Sequence, residues 1–198
     1  MRSIVIGGLW MTVAVSLLAV TPARAQTRTP AGGSRTGKPS SAALASARGK
    51  EDAMRRPKGP ASVTLTADEM ASLVEAGLEP SARRAVDSVS IHLDPGRLTL
   101  RGFLVTAALG AEVFGPLASM FQPLEPLWVS GPAHATAPGV IAWEPDSFIV
   151  RNLTFPQGMI PMLVKRLTGA SNGAIPIAVP PTVTRITIDA GAVTFSRR

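Results

Sequence analysis

Two segments of this chain carry one pattern, the first near its middle and the second at its end. Ile91, Leu93, Leu98 and Leu100 bracket Asp94-Pro95-Gly96, and Ile186, Ile188, Val193 and Phe195 bracket Asp189-Ala190-Gly191 at the same offsets. Apolar residues at a period of two share one face of a strand, and an Asp-x-Gly between two such runs is turn chemistry. Each segment is therefore expected to be a β-hairpin with one buried face. A lone hairpin is marginal in water, so the two faces need other elements to cover them. His92 alternates with the apolar residues of its strand and is expected at the surface.

The N-terminal end reads as an address. Arg2 supplies a positive start, residues 4–20 are almost wholly apolar, and Ala23-Arg24-Ala25 fits the small-x-small cleavage rule, so residues 1–25 are expected to be a signal peptide and Gln26 the mature start. An uncleaved anchor helix is the competing reading. Both place the folded part in the periplasm or another extracytoplasmic space. No cysteine is present, so neither a disulfide nor a lipid-modified cysteine is available and the core has to hold the fold together.

Residues 26–61 are rich in Ser, Thr, Gly, Pro, Ala and basic side chains and poor in large apolar ones. Such a segment is expected to be a disordered linker, because it buries too little surface to offset the entropy of ordering. Much of the net charge of +7 sits there, on Arg28, Arg35, Lys38, Arg48, Lys50, Arg55, Arg56 and Lys58 against Glu51 and Asp52. A solvated spacer needs no partner; attraction to an anionic membrane surface is the alternative. Nucleic acid is disfavoured, since no aromatic residue is interleaved to stack on bases.

Residues 62–198 have the length of one domain. Thr66 and Glu69 form a capping box, with Leu65 and Met70 as a hydrophobic staple, so a helix is expected from Thr66, carrying Met70, Leu73 and Val74 on one face and ending left-handed at Gly77. A second helix is expected over 158–169, with Pro161 in its first turn, Ile160, Leu163, Val164 and Leu167 at helical spacing, and Gly169 as its stop. Between them, 103–109 extend the first hairpin or leave it, and 112–121 are helical or irregular. Strands are expected at 127–131, 140–143 and 148–155, and Glu144-Pro145-Asp146-Ser147 reads as a turn.

Chemical signatures are missing. The two histidines, His92 and His134, have no ligand spacing around them, and no nucleophile elbow or phosphate loop occurs. Glu144 and Asp146 form the one imaginable acid pair, and turn formation explains both. The sequence points to no cofactor, no metal and no enzyme.

The order of elements resembles a known group. Leu-Thr-Ala-Asp-Glu-Met-Ala-Ser-Leu-Val (65–74) is followed by Val89-x-Ile-x-Leu-Asp-x-Gly-x-Leu-x-Leu100. Phe155-Pro-x-Gly-x-x-Pro161 and Pro181-x-Val-x-x-Ile-x-Ile-Asp-x-Gly-x-Val-x-Phe195 come after it. Over residues 63–195 this resembles the bacterial extracytoplasmic proteins of the tubular lipid-binding (TULIP-like) superfamily, including LmeA-like and YceB-like envelope proteins; the lipidation cysteine of the YceB-like type is absent. The resemblance implies an α+β fold in which a curved antiparallel sheet wraps around a long or amphipathic helix, with a second short helix. It also implies a non-enzymatic protein that holds a lipid or other apolar molecule in a groove between helix and sheet at the cell envelope. The residues expected to line that groove are Leu73, Val74, Leu78, Leu163 and Leu167. Phe114, Trp128, Phe148, Met159 and Met162 are expected near them. The alternative is an envelope scaffold that uses the same fold for protein–protein contacts.

Overall fold

The computed structural model describes residues 34–108, 119–170 and 173–197. The expected signal peptide, the start of the expected linker and Phe114 lie outside the described residues. In chain order the elements are β1 (Thr36–Gly37), α1 (Ser41–Arg55), β2 (Ser62–Thr66), α2 (Ala67–Gly77), α3 (Pro80–Ala85), β3 (Val86–Asp94), β4 (Arg97–Val105) and β5 (Leu124–Gly131). They continue with β6 (Ala133–Ala137), β7 (Val140–Trp143), β8 (Ser147–Val150), β9 (Leu153–Thr154), α4 (Ile160–Thr168), β10 (Ile175–Ala178), β11 (Arg185–Asp189) and β12 (Ala192–Ser196). The fold is α+β, and its strands pair antiparallel in three sheets ordered β1-β3-β4-β5-β8-β9, β10-β7-β6 and β11-β12-β2.

Both expected hairpins form. Leu93 pairs with Leu98 and Ile91 with Leu100 across β3 and β4, while Ile188 pairs with Val193 and Ile186 with Phe195 across β11 and β12. Gly96 and Gly191 sit in the left-handed region, at φ of 73° and 80°, where a residue with a Cβ is strained. Ile91, Leu93, Leu98, Val193 and Phe195 are fully buried, each side chain contributing about 1.5–3 kcal/mol relative to exposure. His92 departs from expectation. It is half-buried, with Nδ1 2.7 Å from the Thr36 hydroxyl and Nε2 3.3 Å from an Asp94 carboxylate oxygen, because the unforeseen β1 pairs alongside β3 and covers it.

The expected disordered linker is a correction from Ser34 onward. Ser40 caps α1 by accepting from the amide of Ala43, and Ala47 and Met54 reach zero exposure against the core. Small residues make this possible. Ala47 on α1 and Ala67 and Ala71 on α2 are all buried, and short side chains allow two helices to approach closely. A polar seam joins the pair: Ser40 N–H donates to the Ser72 hydroxyl at 3.0 Å, Ser46 donates to Glu69 at 2.6 Å, and Lys50 donates to Glu69 at 2.6 Å and to the Thr64 carbonyl at 2.8 Å. Hence the folded unit begins well before residue 62 and includes α1.

The capping box at Thr66 and Glu69 forms in full. Gly77 ends α2 as its last helical residue without the expected left-handed turn; the extended Leu78 follows as the cap. The helix near 158–169 appears as a short 3-10 turn, Gln157–Met159, running into α4, and Gly169 terminates it at φ 73°. Residues 148–155 do not make one strand. Arg151 at φ 57° turns the chain, so β8 and β9 form a tight hairpin. β4 ends at Val105 and a 3-10 turn, Thr106–Ala108, follows. His134 lies on β6.

Candidate functional site

A cavity of about 520 Å³ lies between α1, α2, α3 and α4 and the inner faces of two sheets. From α2 come Leu73 and Val74, followed by Leu78, and from α4 come Val164 and Leu167. The inward residues of the larger sheet, Leu100, Leu127, Val129 and Phe148, form the opposite wall, and Trp143, Ile175 and Ile177 close it from β7 and β10. Strand alternation explains the choice. Leu127 and Val129 point inward while Trp128 between them pairs with Arg101 and Ile149 on the outer face.

Of the residues expected to line a groove, Leu73, Val74, Leu78, Phe148 and Leu167 border this cavity. Leu163 is fully buried in the core beside it, Met159 packs half-buried against the core, and Met162 is 48% exposed. Leu163 shares the buried face of α4 with Leu167, Met162 lies on the exposed face, and Met159 belongs to the turn that enters the helix. Trp128 is turned away as described.

The polar part of the lining comes mainly from α1, the helix that sequence reasoning missed. Arg48, Glu51 and Arg55 follow one another at spacings of three and four, which places them on one helical face, and all three border the cavity. Glu51 is 8% exposed, and burial pushes its carboxyl above the ordinary value of 4.5 despite Arg55 and Arg48 nearby. Trp143 is 1% exposed, and its indole Nε1 has no hydrogen-bond partner among the described residues. The only signal for α1 was a Ser40 cap ahead of an Ala-rich segment. Trp143 was visible as a strand residue, but its place in a wall depends on which strands pair.

A more polar cavity of about 650 Å³ adjoins this one, sharing Arg48, Ala76, Leu78 and Val86 and reaching Ser40, Ser72 and Asp87. The imagined acid pair is divided between two basic partners. Asp146 forms a two-pronged ion pair with Arg97, which holds its carboxyl below the ordinary range through those hydrogen bonds, and Glu144 lies 3.4 Å from His134. Both carboxylates are solvent-exposed and border neither cavity. Among the described residues no group of three or more His, Asp or Glu gathers as a metal site would require, and no helix is long and apolar enough to cross a membrane.

Comparison with protein-family models, with curated proteins and with solved structures returns no match, so the likeness to TULIP-like proteins rests on the turn and packing patterns of the sequence alone.

Proposed function

We propose that this protein is an exported, non-enzymatic envelope protein that holds a lipid or other apolar molecule in the cavity bounded by α2, α4 and the larger sheet. The observation that carries the reading is the lining itself. Leu73, Val74, Leu127, Val129, Phe148 and Leu167 converge from separate elements on a space of about 520 Å³, within the range of small-molecule sites. An acyl chain entering such a space gains about 0.8 kcal/mol for each CH₂ removed from water, so no elaborate polar motif is needed for affinity. In this reading the larger sheet curves around the helices as in the TULIP-like proteins, and exposed Arg48 and Arg55 mark the polar mouth.

The scaffold alternative draws on the outer face of the same sheet. Phe103 and Leu124 are 43% and 48% exposed there, on the face that also carries half-buried Trp128 and Ile149. Extraction of the purified protein followed by lipid mass spectrometry, with titration of the fluorescent fatty acid cis-parinaric acid, separates the two. Retained acyl lipid and saturable binding are expected. Neither retained lipid nor binding would sink the lipid reading and leave the outer face as the working surface.

A further inference from the structure

Three glutamates are buried among the described residues, and they differ in what answers them. Glu69 accepts from Ser46, Lys50 and the Thr66 amide, and Glu125 accepts from the Gln122 amide with Arg151 3.8 Å away. Glu51 has no hydrogen bond or ion pair among the described residues; burial pushes its carboxyl up, and the charges of Arg55 and Arg48 act on it without contact. Its oxygens are not sealed off. Among the described residues, the one unpartnered side-chain nitrogen or oxygen without accessible surface is Nε1 of Trp143, so the Glu51 carboxyl keeps surface that a partner can reach. Ala47 and Met54, one turn to either side on the same face of α1, are fully buried, and Arg48 and Arg55 border the cavity together with Glu51.

We propose that the Glu51 carboxyl opens onto this cavity and takes a hydroxyl of the bound molecule, a neutral long-chain alcohol or an acylglycerol. This rests on the apolar-ligand reading above and narrows it. A hydrocarbon would fill the space and leave a buried acceptor unmatched, which is costly. An ammonium would meet Glu51, but it would also meet the like charges of Arg48 and Arg55 on the same side of the cavity. A carboxylate would add a second negative charge beside a carboxyl that burial already disfavours as an ion. A hydroxyl both donates and accepts, so it answers the carboxyl with or without its proton.

The test is calorimetric titration of the full chain with nonanol and with methyl octyl ether, which match in heavy atoms and differ in that the ether cannot donate. Glu51→Leu removes the carboxyl and keeps apolar bulk. It is expected to weaken nonanol about tenfold relative to the ether, as for one lost hydrogen bond to a carboxylate. An equal change for both probes overturns the proposal and leaves the apolar cavity standing. Nonylamine is expected to show no binding that depends on Glu51; amine affinity that disappears in Glu51→Leu would make the partner a cation and overturn the proposal as well. A second measurement keeps the carboxyl in place. By NMR of protein isotopically labelled at the glutamate carboxyl carbons, the Glu51 resonance, identified by its loss in Glu51→Gln, is expected to move with nonanol and not with the ether. Equal movement with both overturns the proposal, and this comparison decides should Glu51→Leu fail to fold. If neither the alcohol nor the ether binds, the proposal falls together with the reading on which it rests.

Discussion

The amide of Gly96 donates to the carbonyl of Ile188 at 2.9 Å, and the amide of Gly191 donates back to the carbonyl of Leu93 at 3.2 Å. Gly96 and Gly191 are equivalent positions of the repeated pattern, as are Leu93 and Ile188. The two hairpins thus exchange the same bond in both directions, and this local pseudo-twofold relation ties together two separate sheets. Each turn glycine serves twice, by adopting a positive φ and by donating across the junction.

Gly96→Ala is expected to destabilise the fold by about 1–2 kcal/mol, because a left-handed residue with a Cβ is strained. Open space around the new Cβ excludes a steric contribution. Gly191→Ala should cost a similar amount. Denaturant midpoints check both, and amide exchange at Gly96 and Gly191 should accelerate together in either variant if the bonds act as one junction.

Met54→Ala distinguishes the ordered α1 from a flexible tether. Met54 is fully buried, so its loss should cost about 2–5 kcal/mol through lost burial and the cavity left behind. A residue in a disordered linker would cost nothing measurable. Chemical unfolding of the purified variant reads the difference directly.

Glu69 makes stability depend on acid. Burial pushes its carboxyl up, but hydrogen bonds from Lys50, Ser46 and the Thr66 amide outweigh that and hold it below the ordinary 4.5. A carboxyl depressed in the folded state contributes stability that is present above 4.5 and is lost as pH falls through the folded value. Glu69→Gln should therefore lower stability at neutral pH by about 1–3 kcal/mol and flatten the acid limb of a stability–pH curve. An unchanged acid limb would refute this role.

Glu51 acts with the opposite sign. Burial raises its folded value, so the folded state holds the proton more tightly than the unfolded chain, and stability declines as pH rises from about 4.5 toward the raised value. Glu51→Gln keeps the shape and removes the charge. It is expected to raise the thermal midpoint at neutral pH and to leave it unchanged near pH 4.

Leu73 offers a way to close the cavity without touching the deepest core, since it borders the space and is only half-buried. Leu73→Trp should reduce the affinity for cis-parinaric acid at least tenfold while changing stability by less than about 1.5 kcal/mol. Equilibrium titration and thermal unfolding on one preparation test both halves of that expectation.

Local patterns carried much of this fold. The hairpins were legible because alternation and Asp-x-Gly turns act over a few residues, and the start of α2 was legible because Thr66 and Glu69 satisfy each other's backbone groups within one turn. α1 was hidden because its buried face is made of Ala47, Glu51 and Met54, and two of those three carry no strong apolar signal. The break at Arg151 was hidden for another reason, since a left-handed non-glycine residue leaves no mark in an alternating run.

By itself the sequence determined the two hairpins, the capped helix α2, the stop at Gly169 and an apolar stripe on each of α2 and α4, all of which depend on neighbours within about a turn or a strand pair. Tertiary structure alone decided that α1 joins the fold, that Trp128 turns outward while Trp143 turns into a wall, and that Glu51 is buried beside an apolar space. These depend on strand order and on helix contacts between residues far apart in the chain, where small alanines and a shared carboxylate at Glu69 permit an approach that no local period encodes.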